Sequence, residues 1–146
     1  MTTKRHQILD NLVTVLEGIT TVNGYSVDMG EVSREPQHWT DTKRFPAIYT
    51  MEDLEDPNFA AIETFNDCRW SVGLLVYVKH RKLLSTEIEK VLGDIKKILL
   101  LDANQTLSGL SWLIELNEVR NVSLWLKDIG IFEVDLVIEY RYGSTP

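Results

Sequence analysis

The feature that most constrains this sequence is a strict alternation near its C-terminal end. Apolar side chains stand at every second position, at Phe132, Val134, Leu136, Ile138 and Tyr140. The positions between them are mostly charged, namely Glu133, Asp135, Val137, Glu139 and Arg141. Successive side chains of a strand point to opposite faces, so a period of two sorts them into two sets. The pattern predicts an antiparallel-type strand with one buried face and one wet face.

A second alternation runs from Cys68 to His80. One face of this segment is apolar and carries Trp70, Val72, Leu74, Val76 and Val78. The other face is mixed and carries Ser71, Gly73, Leu75, Tyr77 and Lys79. We therefore expect a central strand with one face under helices, and the other face partly open or covered by a neighbour.

Two segments have helical periodicity. The first, from Arg5 to Ile19, has apolar residues at Ile8, Leu12, Val15, Leu16 and Ile19. The second begins with Thr86 and Glu89, a capping-box signature, and continues with Ile88, Val91, Leu92, Ile95 and Leu99. Both patterns are typical of amphipathic helices that bury one face.

Shorter patterns predict further strands. They are a strand through Tyr25, Val27 and Met29, a strand at residues 45–51, and extended stretches at residues 110–119 and 122–126. Pro46 has no N–H for a ladder, so it belongs at a strand start or on an edge. With no internal repeat and no change of composition along residues 1–146, we predict one α+β domain. Its sheet is mostly antiparallel or mixed, packed by two main helices.

Charge and cysteine content narrow the function. The net charge of -7 repels phosphate backbones and anionic lipid headgroups, so neither nucleic-acid binding nor membrane association is expected as the main role. The apolar runs are too short to span a bilayer, and no signal-peptide core follows the N-terminus. Cys68 is the single cysteine, which rules out an intrachain disulfide and a zinc site with several thiolates.

No segment carries a catalytic motif. The histidines, His6, His38 and His80, lie far apart and form no His-x-x-x-His pair. A serine elbow, a glycine-rich phosphate loop and a dinucleotide fingerprint are also missing from the sequence. Cys68 stands at a predicted strand start, where a small buried thiol is expected rather than a nucleophile. We therefore expect no enzymatic activity, cofactor or metal.

The acidic segment beginning at Glu52 leaves two hypotheses open. Its carboxylates are Glu52, Asp53, Glu55 and Asp56, and clustered oxygen ligands suit calcium or magnesium. The spacing is not that of an EF-hand loop, and such charge runs are usually solvated or face a partner. A metal-dependent enzyme or regulator is thus the contrasting hypothesis to a surface that binds protein.

Four segments together resemble the tail-terminator family of long-tailed bacteriophages, also grouped as minor tail or tail-completion proteins. They are the opening helix at residues 5–19, the approach to a strand at residues 44–49 (Arg-Phe-Pro-Ala-Ile-Tyr), the long strand at residues 70–78 with the helix at 86–101, and the closing strand at 134–140. Residues 102–110, with an aspartate, a leucine and a glycine, look like the family's passage from helix to strand.

This resemblance implies an α+β fold that forms a homohexameric ring. In that family the ring stacks on the last ring of tail-tube protein, stops polymerisation and presents its other side to the head or connector. The implied location is the virion tail, after synthesis in the host cytoplasm, and no catalysis is involved. A head-completion or connector protein, or a tail-tube subunit, is the alternative of similar build.

Surface charge supplies the candidate interface. Opposite patches on one chain favour head-to-tail contacts, so the acidic residues Glu52, Asp53, Glu55 and Asp56 could meet Lys79, Arg81 and Lys82 of a neighbouring copy. The alternative for these cations is a solvated turn. Trp39 in the polar loop is either an aromatic anchor for a partner or a residue folded back on its own core.

Overall fold

Two helices and six strands make up the computed structural model, which describes residues 4–52, 60–61, 66–101, 113–126 and 128–141. The helices are α1 (Lys4–Glu17) and α2 (Leu84–Leu99). The strands are β1 (Glu31–Ser33), β2 (Ala47–Glu52), β3 (Ala60–Ala61), β4 (Asn66–Lys79), β5 (Leu113–Leu126) and β6 (Ile129–Arg141). A short 3-10 turn, Thr21–Asn23, follows α1. The predicted α+β class is confirmed.

The strands form one mixed sheet in the order β1-β2-β4-β6-β5, with β3 paired to the start of β4. β4 is central, as predicted, and runs antiparallel to both β2 and β6. Its pairing with β6 extends from Asp67 opposite Arg141 to Lys79 opposite Ile129. β1 is parallel to β2, and this pair makes the sheet mixed. Pro46 immediately precedes β2, at the strand start where its missing N–H is tolerated.

One face of the sheet packs against both helices. The predicted apolar face of β4 is buried along its whole length, and so are the five alternating apolar residues of β6. From the helices, the fully buried side chains include Ile8, Leu12, Leu16, Val91, Ile95 and Leu99. Burial of these side chains is the main stabilising term of the fold, because each removes its apolar surface from water.

Close contact between α2 and the sheet depends on Gly130. A Cβ atom at this position would lie 2.5 Å from Cδ1 of Ile88 and 3.5 Å from Cδ1 of Leu84. The absence of a side chain on β6 therefore lets the first turns of α2 approach the sheet closely.

The strand predicted through Tyr25, Val27 and Met29 is wrong. The backbone there has other hydrogen-bond acceptors: the buried carboxylate of Asp94 on α2 accepts from the N–H of Ser26 at 2.9 Å and of Val27 at 3.0 Å. The N–H of Met29 donates to the Ile19 carbonyl at 2.9 Å. With these groups satisfied outside a ladder, the first strand begins only at Glu31.

The capping box at Thr86 is also wrong, because α2 begins two residues earlier, at Leu84. Leu83 is at the N-cap and makes no side-chain cap. Instead, Nδ1 of His80 accepts hydrogen bonds from the N–H groups of Leu83 at 2.9 Å and Lys82 at 3.3 Å. The imidazole thus orders the turn before α2 and leaves Thr86 inside the helix.

The two extended stretches predicted after residue 110 are one strand in the described residues. β5 runs through Asn121 without ending, but its register against β6 shifts between Leu116 and Glu118, and again around Ser123. These bulges account for the interrupted sequence pattern, because each extra residue transfers the following side chains to the other face. The part predicted at residues 110–112 lies outside the described residues.

Candidate assembly surfaces

The sheet face opposite the helices has two halves of different character. In the half near the β5–β6 turn, a small apolar cluster is buried: Ala47, Tyr49, Tyr77, Ile129 and Ile131. The loop between β1 and β2 crosses this cluster, and its Trp39 and Phe45 side chains pack against it. The chain therefore covers this half of the face with its own loop. This cover removes the apolar surface of the cluster from water, which stabilises the fold.

Two buried phenols anchor the covering loop. Oη of Tyr77 donates to the Gln37 carbonyl at 2.6 Å. Oη of Tyr49 donates to Glu31 at 2.9 Å and lies 2.9 Å from Oγ1 of Thr42. Burial raises the pKa of the Tyr77 hydroxyl. Burial also raises the pKa of the Tyr49 hydroxyl, and the Glu31 carboxylate adds to that rise against an opposing hydrogen bond from Thr42.

Trp39 lies on this covering loop and is half-buried. It packs on the tyrosine cluster of its own chain and lies beside His38, with 5.4 Å between ring centres. Part of the indole surface stays exposed. Its function as an anchor for a partner stays a prediction.

The other half of the open face contains a shallow depression, here named the acidic hollow. Its volume is about 280 Å³, and it is lined by Met51, Glu52, Ser71, Val72, Gly73, Arg120, Glu133 and Asp135. Gly73 leaves space there, because a Cβ atom at this position would meet nothing closer than 3.6 Å. The guanidinium of Arg120 lies 2.9 Å from Glu133 and 3.2 Å from Asp135. All three residues of these ion pairs belong to the lining of the hollow.

The face around the acidic hollow is rich in carboxylates. The pairing of β5 with β6 places Glu118 opposite Asp135, Arg120 opposite Glu133 and Glu115 opposite Val137. Glu139 lies on the same face of β6, two pairs further along. On β5 and β6 these carboxylates share the face with the Arg120 guanidinium, and Arg69 of β4 stands opposite Glu139 in the ladder.

The predicted cations lie at the opposite end of β4, in a group here named the basic end: Lys79, Arg81 and Lys82. Nζ of Lys79 lies 5.6 Å from the centre of the Phe45 ring, and all three side chains are exposed. The N–H of His80 donates to the Asp128 carbonyl at 3.0 Å, which ties this turn to the β5–β6 hairpin. The exposed Asp128 is the acidic residue beside the basic end.

The structure places Glu52, one of the predicted acidic residues, far from the basic end within one chain. Glu52 is the last residue of β2 and pairs with Val72, seven residues before Lys79 on β4. At the rise of an antiparallel strand, that separation is about 24 Å. The other acidic candidates, Asp53, Glu55 and Asp56, lie outside the described residues. The proposed pairing with the basic end stays a prediction between copies.

The sequence patterns missed Arg120 and Glu118. The alternation of β6 predicted a wet face that carries Glu133, Asp135 and Glu139, so the sequence indicated the acidic residues that β6 supplies to this face. The sequence did not indicate the residues that β5 supplies, because a bulge between Leu116 and Glu118 decides which β5 side chains share that face.

The histidines make local contacts. His6 lies 2.8 Å from Arg34 and 3.0 Å from Asp10, and His38 bonds Thr40. Within the described residues, no group of three or more His, Cys, Asp or Glu side chains is placed to hold a metal ion. The same part of the chain contains no helix with the length and apolar content needed to cross a membrane.

These observations define a single α+β domain with helices on one sheet face and, on the other, a self-covered half and an acidic half. No protein-family model matches this chain, and no curated protein matches it.

Proposed function

We propose that this chain is a structural protein of a long-tailed phage, a tail-terminator-type subunit that forms a ring on the end of the tail tube. The ring ends polymerisation of the tail-tube protein and offers its other side to the head or connector. In this proposal the chain works through its surfaces, without cofactor or catalysis, and resides in the virion tail.

The observation that carries this proposal is the separation of charge along the sheet. The acidic hollow lies near the Trp70 end of β4, and the basic end lies beyond Lys79. Two complementary patches on different parts of one subunit favour a heterologous, head-to-tail contact. Repetition of that contact generates a ring when the rotation between neighbours closes. The charges also steer encounter and oppose wrong pairings.

The family resemblance supports the same function, because its segments fall on the main elements of the fold. The opening segment is α1, residues 44–49 lead into β2, residues 70–101 hold most of β4 and α2, and the closing segment is part of β6. Residues 102–110, the remaining segment, lie outside the described residues.

Size-exclusion chromatography with light scattering tests the assembly. We expect the purified chain to form a species several times the 16.8 kDa mass of one subunit, either alone or when tail tubes are supplied. A strict monomer at high concentration that also adds no ring to supplied tubes would contradict the proposal.

Electron microscopy of particles made without this chain distinguishes the virion functions. Loss of a terminator gives tails of uncontrolled length, whereas loss of a connector or head-completion protein leaves tails of normal length that lack heads. Loss of a tail-tube subunit leaves no tube.

Calorimetric titration with calcium and magnesium tests the contrasting hypothesis that the acidic segment serves a metal-dependent activity. A bound ion must stabilise the folded state by mass action, so a binding heat with a rise in thermal stability would favour that hypothesis. We expect neither.

A further inference from the structure

We propose that His80 makes the turn between β4 and α2 sensitive to pH. Its neutral imidazole holds the turn closed, and protonation of the ring opens it. The turn carries Arg81 and Lys82, so acid loosens the basic end while the sheet behind it stays folded. This inference concerns a single folded chain and does not depend on the proposed ring.

The Nδ1 atom of His80 is the acceptor that orders this turn. It accepts hydrogen bonds from the N–H of Leu83 at 2.9 Å and from the N–H of Lys82 at 3.3 Å. The lone pair that accepts them exists only in the neutral ring with its proton on Nε2, because both nitrogens of the protonated ring are donors. A proton on Nδ1 therefore breaks both hydrogen bonds.

The start of α2 has no N-cap side chain to replace this acceptor. Leu83 occupies the N-cap position and makes no side-chain hydrogen bond there. The first N–H groups of a helix have no partner within the helix, so an acceptor placed before it stabilises the start. His80 is itself held in position, because its N–H donates to the Asp128 carbonyl at 3.0 Å. Protonation of the imidazole leaves the N–H groups of the turn without this acceptor.

The charges around His80 also favour the neutral ring. α2 begins next to it, and the N-terminus of a helix has a partial positive charge that opposes an added cation. Nearby cations oppose it as well. Among the described residues of the turn, of the loop before β2, of the first turns of α2 and of the β5–β6 hairpin tip, the cations are Lys43, Arg44, Lys79, Arg81, Lys82 and Lys90, and the carboxylates are Asp41, Glu87, Glu89 and Asp128. Lys127 lies outside the described residues.

Acid therefore favours the open turn. In the open turn the imidazole is in water, where histidine takes up a proton in the range of about pH 5 to 8. The closed turn requires the neutral ring. Because the open form binds more protons, the closed form is fully favoured above this range and is lost as the pH decreases through it.

Asparagine is the matched replacement for a test. Its side-chain oxygen accepts hydrogen bonds from backbone N–H groups that follow it in a turn, and it does not titrate. We expect His80→Asn to keep the turn closed at both pH 7.5 and pH 5. His80→Ala removes the acceptor, so its turn should be open at both.

Hydrogen exchange measured by mass spectrometry reports the opening, whatever assembly the chain forms. The quantity compared is the protection factor of the amides at residues 81–84, corrected for the intrinsic pH dependence of exchange and divided by that of α1. For the wild type we expect this ratio to decrease by about 5–30-fold between pH 7.5 and pH 5, the factor that loss of a helix cap gives. For His80→Asn the ratio should stay constant.

A variant that keeps His80 as its single histidine is the control. His6→Gln with His38→Gln removes the other two imidazoles, which lie on α1 and on the loop before β2. This variant should keep the wild-type response to pH. Circular dichroism confirms that each variant is folded.

Four outcomes overturn the inference. They are a wild-type ratio that does not change with pH, an equal decrease in His80→Asn, loss of the response in the variant without His6 and His38, and wild-type protection in His80→Ala at pH 7.5. If a variant at position 80 does not fold, the wild type and the control variant still decide the question, because only His80 titrates as an imidazole in the control.

Discussion

The guanidinium of Arg5 lies 4.7 Å from the centre of the Trp70 ring, and its Nε donates a hydrogen bond to Oη of Tyr140 at 2.9 Å. The two buried rings meet edge to face, with 6.2 Å between their centres. Trp70 belongs to β4 and Tyr140 to β6, so a single side chain of α1 joins the first helix to both central strands.

Replacing Arg5 should therefore loosen α1 from the sheet. We expect Arg5→Ala to lower the free energy of unfolding by about 1–3 kcal/mol, from the lost cation–π contact and the lost hydrogen bond. Arg5→Lys keeps the cation, so its free energy of unfolding should lie between those of the wild type and Arg5→Ala. Urea unfolding measures this, with the exposed Gln7→Ala on the same helix as the control. Equal losses of unfolding free energy for Arg5→Ala and Gln7→Ala would show that Arg5 does not hold α1 on the sheet.

Asp94 should be the most sensitive carboxylate in the described part of the helices. It is 4% exposed and accepts hydrogen bonds from two backbone N–H groups, those of Ser26 and Val27. Asp94→Ala leaves both donors without this acceptor, and we expect a loss of about 2–4 kcal/mol in the free energy of unfolding. Glu89→Ala, an exposed carboxylate on the same helix, should change it by less than about 0.5 kcal/mol.

Hydrogen exchange gives a second readout for Asp94. Loss of the carboxylate should speed exchange of the Ser26 and Val27 amides more than exchange of amides in α1. Uniform acceleration across the protein would show that the carboxylate does not hold this segment in particular.

Alanine substitutions at Gly130 in β6 and at Gly93 in α2 should change the free energy of unfolding in opposite directions. Gly130→Ala places a Cβ atom 2.5 Å from Ile88 Cδ1, and we expect the free energy of unfolding to fall by about 1–3 kcal/mol from overpacking. Gly93→Ala, inside α2, meets nothing within 4 Å and should raise it by about 0.5–1 kcal/mol. Combining Gly130→Ala with Ile88→Val should recover part of the loss. Chemical denaturation measures all three.

Stability should decrease at high pH because of the buried phenols. The pKa values of Tyr49 and Tyr77 are raised in the folded state, so the unfolded chain releases these protons first as pH rises. Their stabilisation is therefore fully present below the unfolded pKa of about 10 and is lost above it. Urea midpoints between pH 8 and pH 11 should decrease less steeply for Tyr77→Phe than for the wild type. Parallel curves would contradict the prediction.

Much of the fold followed from local pattern. Period-two alternation identified β4 and β6 with the correct buried faces, because a strand's two faces are set by its own backbone. Helical spacing identified α1 and α2 for the same local reason. The strand predicted around Val27 was wrong because its backbone donates to Asp94, an acceptor that is distant in sequence. The cap predicted at Thr86 was wrong because the His80 imidazole accepts the hydrogen bonds of the turn before α2.

The candidate surfaces, too, could be predicted only in part from local sequence patterns. By itself the sequence determined that β6 has an acidic wet face and that cations cluster after β4, since both are properties of contiguous residues. Only the tertiary structure placed Arg120 between Glu133 and Asp135, and the loop carrying Trp39 over Tyr77. Strand order, bulges and register decide those neighbours, and they depend on contacts between segments that no local pattern encodes.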